Sequence, residues 1–181
     1  YCDKVNKDLK EKGQHFKPII GCEVYVAPRH KEQRESKELD GANYHLILLA
    51  KNEKGYHNLI KIVSRAWTDG FYSHPRTDKY DLEKYHEGII CCSACLGGEV
   101  PKLITAGKIE EAEQVVQWFH NLFGDDYYLE LQRHKATVPN ANHEAYPLQM
   151  NVNAHLKEMS TKFGIKTICT NDVHFLDEDN A

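Results

Sequence analysis

Residues 44–67 read YHLILLAKNEKGYHNLIKIVSRAW, two periodicities placed back to back. Tyr44 to Ala50 is a nearly continuous apolar run, the pattern of a strand buried on both faces. From Glu53 to Trp67 the apolar residues Tyr56, Leu59, Ile60, Val63 and Trp67 recur every three or four positions, which predicts a helix. A strand running into a helix is half of a βα unit, and the alternation continues on both sides. Upstream, Asp3 to Lys12 reads as a helix closed by Gly13, and Pro18 to Ala27 as a strand rich in Ile and Val. Downstream come a helical turn at Asp81 to Tyr85 and strands at Gly88 to Ser93, Tyr127 to Leu131 and Lys166 to Thr170. Helices are expected at Lys108 to Phe123 and from about Glu144 to Phe163, with Pro147 tolerable in the first turn and Gly164 as the cap. Strands separated by helices predict an α/β fold of parallel βα units, a barrel or an open sheet. Residues 28–43 are charged, with little apolar periodicity, and read as a surface-loop insertion in a single domain spanning 1–181.

The composition excludes several classes. The chain has 181 residues, 41% hydrophobic and 28% charged, and its mean hydropathy is -0.63. That is a globular composition, not a collagen-like or disordered one. No apolar run approaches the ~18 residues of a membrane span, and no signal peptide opens the chain. A net charge of -4 does not suit a protein that coats nucleic acid, yet it is compatible with a nucleic-acid enzyme whose site is acidic. Of six Cys, residues 91, 92 and 95 cluster, and no second CxxC pair lies at zinc-finger spacing. Reduced thiols in a cytoplasmic setting are expected. The absence of GxGxxG and GxxxxGK[ST] motifs leaves dinucleotide and P-loop binding unsignalled. The chain opens on Tyr1 within a helical pattern and stops at Asn180-Ala181 in what reads as the first turn of another helix. It is read as a piece of a longer protein, with some of its chemistry outside the sequence shown.

Eleven His point to metal or acid–base chemistry. Asp172 and His174 alternate just after a strand and can face one cleft as ligands of a divalent cation, or form a plain surface turn. Glu23 lies inside an apolar strand, costly unless it is paired, bound to metal or turned to solvent. His45 leads the 44–50 strand and becomes a ligand only where others converge on it. Cys95 lies beyond a strand end, where its thiolate would suit zinc. A nucleophilic Cys95 is the rival reading, without a visible partner to lower its pKa. Cys91 and Cys92 read as small core residues. Arg76, in an aromatic and basic loop, is a candidate for a phosphate, and His134, past the fourth large strand, is a candidate for the same cleft.

Taken together, KPIIGCEVYVAP, YHLILLAKNEKGYHNLIKIVSRAW, GFYSHPR, SACLGGEVP, LFGDDYYLELQRH and TNDVHF resemble, in order, the N-terminal PHP (polymerase and histidinol phosphatase) domain of the bacterial replicative DNA polymerase III alpha subunit. The resemblance implies a distorted (βα)7 barrel with mostly parallel strands, incomplete here for want of its first strands. It implies up to three divalent metals, zinc and/or manganese, held by side chains of which Glu23, His45, Cys95, Asp172 and His174 fall in this sequence. Glu23, His45 and Cys95 would complete one metal site in this piece, while Asp172 and His174 would join ligands from the missing strands. Glu23, Asp172 and His174 would be the catalytic set, with clustered metals lowering the pKa of water for phosphodiester hydrolysis. The implied activity is metal-dependent 3′–5′ exonuclease proofreading within a DNA polymerase whose polymerase domains lie outside this chain, the isolated piece being inactive. DNA at the primer-template 3′ end and other polymerase subunits would be its partners, with no membrane involved. Arg76 and His134 would help to hold the DNA backbone. Alternatives are a catalytically silent PHP scaffold, a stand-alone phosphoesterase such as a histidinol phosphatase, and a hydrolase built on Cys95.

Overall fold

The fold is given by a computed structural model that describes residues 1–136 and 143–174. In chain order its elements are α1 (Cys2–Lys10), β1 (Gly21–Val26), α2 (Lys37–Asp40), β2 (Tyr44–Ala50), α3 (Glu53–Thr68), β3 (Arg76–Thr77), α4 (Lys79–Tyr85) and β4 (Ile89–Cys92). They continue with α5 (Glu99–Thr105), α6 (Ile109–Phe123), a 3-10 turn (Gly124–Asp126), β5 (Tyr127–Gln132), α7 (Ala145–Phe163) and β6 (Lys166–Thr170). The helical turn expected around Asn180-Ala181 lies outside the described residues.

The strands form one six-stranded sheet in the order β3-β1-β2-β4-β5-β6. β1 with β3, β4 with β5 and β5 with β6 are parallel. β2 runs against both of its neighbours, so the sheet is mostly parallel, as expected, with one reversed strand. Among the described residues the sheet does not close on itself, and β3 and β6 are its edges.

Local chemistry sets the helix boundaries. Asn52 caps α3 by accepting the Gly55 N–H at 3.0 Å, and Asp78 caps α4 through the Asp81 N–H at 2.9 Å. Gly164, at φ 68, ends α7 in the left-handed conformation that glycine adopts at least cost. The helices cover one face of the sheet. Val24, Leu48, Cys91 and Leu129 meet Ile62, Ile104, Val116 and Leu156 in one core.

The other face is only half covered, so β2 is not buried on both sides. Leu46 and Leu48 face the helices, while His45, Ile47 and Leu49 on the alternate face are partly exposed. The α3 stripe also divides. Leu59, Ile62 and Ala66 are buried, whereas Tyr56, Ile60 and Trp67 point outward.

Residues 28–43 are exposed or half-buried except at two buried charges that pin them. Lys31 and Asp40 are buried, each 1% exposed. Lys31 Nζ pairs with Asp81 at 3.0 Å, and the Lys31 N–H donates to Asp78 at 2.9 Å. Burial would raise the Asp40 carboxyl pKa, but hydrogen bonds from Arg29 and from the N–H groups of Glu35 and Ser36 hold it below its ordinary value. A charged composition reads as solvated, yet these two charges are satisfied by partners inside the fold.

α3 sits directly on the turn before β4. A Cβ on Gly55 would lie 1.7 Å from the carbonyl oxygen of Gly88, a backbone atom that cannot swing away. Gly55→Ala is therefore expected at the upper end of the ~1–3 kcal/mol cost of overpacking. Alanine's better helix propensity, about 1 kcal/mol, recovers only part of that. A urea titration would read the loss directly as a lower midpoint at unchanged slope.

Candidate metal centre

Glu23 and His45 meet through strand register. Glu23 opposes Ile47 and Tyr25 opposes His45 across the antiparallel β1–β2 ladder. Glu23 and His45 are thus diagonal neighbours on the half-covered face, within reach of each other. A Glu23 carboxylate oxygen contacts His45 Nδ1, with both side chains about one-third exposed (35% and 30%). Because β2 is reversed, its first residues lie at the same end of the sheet as the carboxyl ends of the parallel strands. His45 therefore joins a cleft that βα logic would otherwise build from strand ends alone.

Cys95 arrives from the loop after β4. Ala94 takes φ 64, a left-handed conformation that alanine adopts only at a cost, and the chain turns back over β2. There the His45 N–H donates to the Gly97 carbonyl at 3.1 Å, and His45 bridges to Gly98. A Cβ on Gly97 would lie 2.9 Å from the His45 ring, so the absence of a side chain lets the loop lie against the imidazole. Cys95 Sγ consequently stands 3.5 Å from His45 Nδ1. One donor atom each from Glu23, His45 and Cys95 lies within 4.8 Å of the other two. Zinc ligands at ~2.0–2.3 Å in a tetrahedral arrangement lie roughly 3.3–3.8 Å apart. The mixed O, N and S donor set fits a divalent cation with little movement.

Asp172 and His174 follow β6. Asp172 takes φ 48, and the His174 Nδ1 lies 2.7 Å from the Asp172 carbonyl oxygen. Both line one cleft of about 210 Å³ with Glu23, Tyr25, His45 and Cys95. The structure thus gathers Glu23, His45, Cys95, Asp172 and His174 from β1, β2 and the ends of β4 and β6.

The electrostatics of this cleft suit a cation better than a nucleophilic thiolate. Burial pushes the Cys95 thiol pKa up, the Gly97 N–H offsets part of this, and the negative charges of Asp172 and Glu23 push it further up. A reactive cysteine needs the opposite surroundings. Cys92 is pushed up to about 12 by burial and by Glu130, as befits a core residue.

Arg76 and His134 do not line the cleft. Arg76 is fully buried, and its guanidinium donates to the carbonyls of Gly70, Asp40 and Lys31, so it is not placed to hold a phosphate. His134 is bound to Gln149, its N–H to Oε1 at 2.7 Å and its Nδ1 to Nε2 at 2.8 Å. Two residues escaped the sequence reading. Tyr25 lines the cleft, its ring edge-on to His45 at 5.1 Å. Two-residue alternation from Glu23 was the signal for it. Glu130 lies buried beneath the site, and a lone acid in the apolar strand YYLEL called for the same question as Glu23.

Comparison with known proteins agrees with this arrangement. The PHP domain family matches residues 2–134. The DNA polymerase III subunit alpha of Borreliella burgdorferi is 44% identical over 178 residues, covering 98% of this chain and 14% of the relative. The subunit alpha of Thermus aquaticus is 39% identical, covering 91% of this chain and 13% of the relative. That of Aquifex aeolicus is 38% identical, covering 98% and 15%. The chain spans about a seventh of the length of these curated relatives. With its family match over most of the described residues and a cleft of O, N and S donors at one end of its sheet, this chain belongs to the PHP domain family.

Proposed function

We propose that this chain is the PHP domain, at residues 1–181, of a replicative DNA polymerase alpha subunit, and that its cleft takes part in metal-dependent 3′–5′ trimming of a DNA primer end. One observation carries the reading: Glu23, His45, Cys95, Asp172 and His174 line a single cleft. Glu23, His45 and Cys95 hold one divalent cation, zinc or manganese. The thiolate favours zinc, and the carboxylates tolerate manganese. Asp172 and His174 offer a carboxylate and an imidazole to further cations, with ligands from strands outside this chain completing a closed barrel. Such cations, when bound, lower the pKa of water and neutralise charge on phosphoryl oxygens.

The remaining work falls to the protein. Tyr25 fixes the His45 ring from its edge. The Asp172 carbonyl accepts a hydrogen bond from the His174 Nδ1–H, which fixes the tautomer with Nε2 unprotonated. Glu23, Asp172 and His174 surround the reacting phosphodiester. The partners are a primer-template 3′ end and the other subunits of a cytoplasmic replicative polymerase, a reading supported by relatives named as DNA polymerase III subunit alpha. Among the described residues no helix is long and apolar enough to cross a membrane.

The test is removal of a mismatched 3′ nucleotide by the full-length chain, with and without chelator, beside Asp172→Asn. Trimming is expected to disappear with chelator and with the variant, while the variant still extends primers. Failure of the unaltered, metal-verified chain to trim any end sinks the activity and leaves the reading of a metal-stabilised scaffold. Hydrolysis of small phosphate monoesters in place of DNA would favour a stand-alone phosphoesterase.

A further inference from the structure

Beneath the cleft, Glu130 of β5 is 6% exposed and joins the two strand ends that carry metal-ligand candidates. Its Oε2 accepts the N–H of Ala94 at 2.7 Å, one residue before Cys95. Its Oε1 accepts the hydroxyl of Thr170 at 2.7 Å, two residues before Asp172. The backbone is anchored as well, the Glu130 N–H donating to Ser93 Oγ at 2.8 Å. Gln132, two residues along the same strand, donates from Nε2 to Thr170 Oγ1 at 3.1 Å.

Both strand ends so tied leave the sheet through a left-handed residue that is not glycine, Ala94 at φ 64 and Asp172 at φ 48. Such conformations persist only where the surroundings over-determine them. The carboxylate holds the Ala94 N–H at the start of that turn, and beyond the turn Cys95 stands beside His45. β4 and β6 are not neighbours in the sheet, since β5 lies between them. Each is laddered to β5 but not to the other, and the ladders stop at Cys92 and Thr170, short of Cys95 and Asp172.

We propose that Glu130 is a positioning residue for the metal centre, a single carboxylate that clamps the Cys95 turn to the Asp172 turn across β5. It touches neither cation nor substrate. It sets the separation of a thiolate and a carboxylate that must serve neighbouring cations. The assignment rests on the metal-dependent reading of the cleft given above.

The experiment uses the full-length chain, titrated with Co2+ and followed by its visible and thiolate charge-transfer absorption. Glu130→Ala is expected to lower cobalt affinity by about 10–100-fold, the range for groups that orient ligands, and to alter the spectrum. In Glu130→Gln the amide accepts from Ala94 and donates to Thr170, so affinity stays within about threefold of the unaltered chain. Val116→Ala, a core change on α6, controls for stability and should leave affinity and spectrum unchanged although the chain melts earlier. Glu130→Ala binding cobalt with unaltered affinity and spectrum overturns the proposal. So does a Glu130→Gln variant as weak as Glu130→Ala, because the bridge would then not be the cause. An unaltered chain that takes up no cobalt overturns the metal reading itself, a different outcome from failure of Glu130 alone.

Discussion

Arg76→Ala lowers the stability of the fold by about 3–5 kcal/mol, by the sum of unsatisfied carbonyls and the cavity left behind. The side chain is 0% exposed and lies over the Tyr72 ring at 4.9 Å. It donates to Lys31 O at 3.0 Å, to Gly70 O at 3.3 Å and to Asp40 O. Each buried carbonyl left unpaired costs roughly 1–3 kcal/mol. Arg76→Lys is expected to recover little, because one ammonium cannot span carbonyls that a planar fork reaches together. Urea titration gives the loss, and limited proteolysis within residues 28–43 gives its location. A phosphate-holding Arg76 makes the opposite prediction, weaker and less salt-sensitive DNA binding at unchanged stability. That result would undo the structural assignment. The damage also reaches the cleft, since Arg76 pairs with Tyr25 across β1 and β3.

Loss of a metal ligand is the second large effect. Cys95→Ala or His45→Ala in the full-length chain is expected to weaken cobalt or zinc binding by more than about 100-fold, beyond what ligand-orienting groups contribute. Cys95→Ala must also erase the thiolate-to-cobalt charge-transfer band, whereas Cys169→Ala, at an exposed thiol on β6, leaves it intact. Retention of the band in Cys95→Ala would place the thiolate elsewhere. Inhibition by a thiol reagent that is indifferent to chelator would revive the nucleophilic reading of Cys95.

Much of this architecture is legible in the sequence. The bounds of β2 and β6 are those expected, and α6 fills the stretch from Lys108 to Phe123 to within one residue. Direction is another matter. Alternation of strand and helix reads as parallel, and only the long-range pairing of Glu23 with Ile47 shows that β2 is reversed. β3 is a two-residue strand, too short to carry any period, and its partners Tyr25 and Val26 lie far upstream. Lys31 and Asp40 look solvated because burial of a charge is decided by its partner, not by its type. The same holds at the cleft. Glu23 is visible as an acid among apolar residues, but apart from the resemblance nothing in the sequence pairs it with His45, which ladder register brings beside it. Glu130 was equally visible, and its part depends on Ala94 and Thr170, which have no signature of their own.

The ladder between β1 and β2 separates two histories that sequence length would otherwise couple. Glu23 and His45 are held by pairing of their strands, not by the connector that joins them. That connector is pinned at Lys31 and Asp40, and most residues between those pins are exposed. Insertions or deletions there can accumulate, or be engineered, without displacing either donor. A one-residue slip within β2 does the reverse, turning His45 to the helix side and presenting Leu46 to the cleft. The stretch between the pins is thus a place to attach a label or a new recognition loop, while residues 44–50 tolerate no change of length.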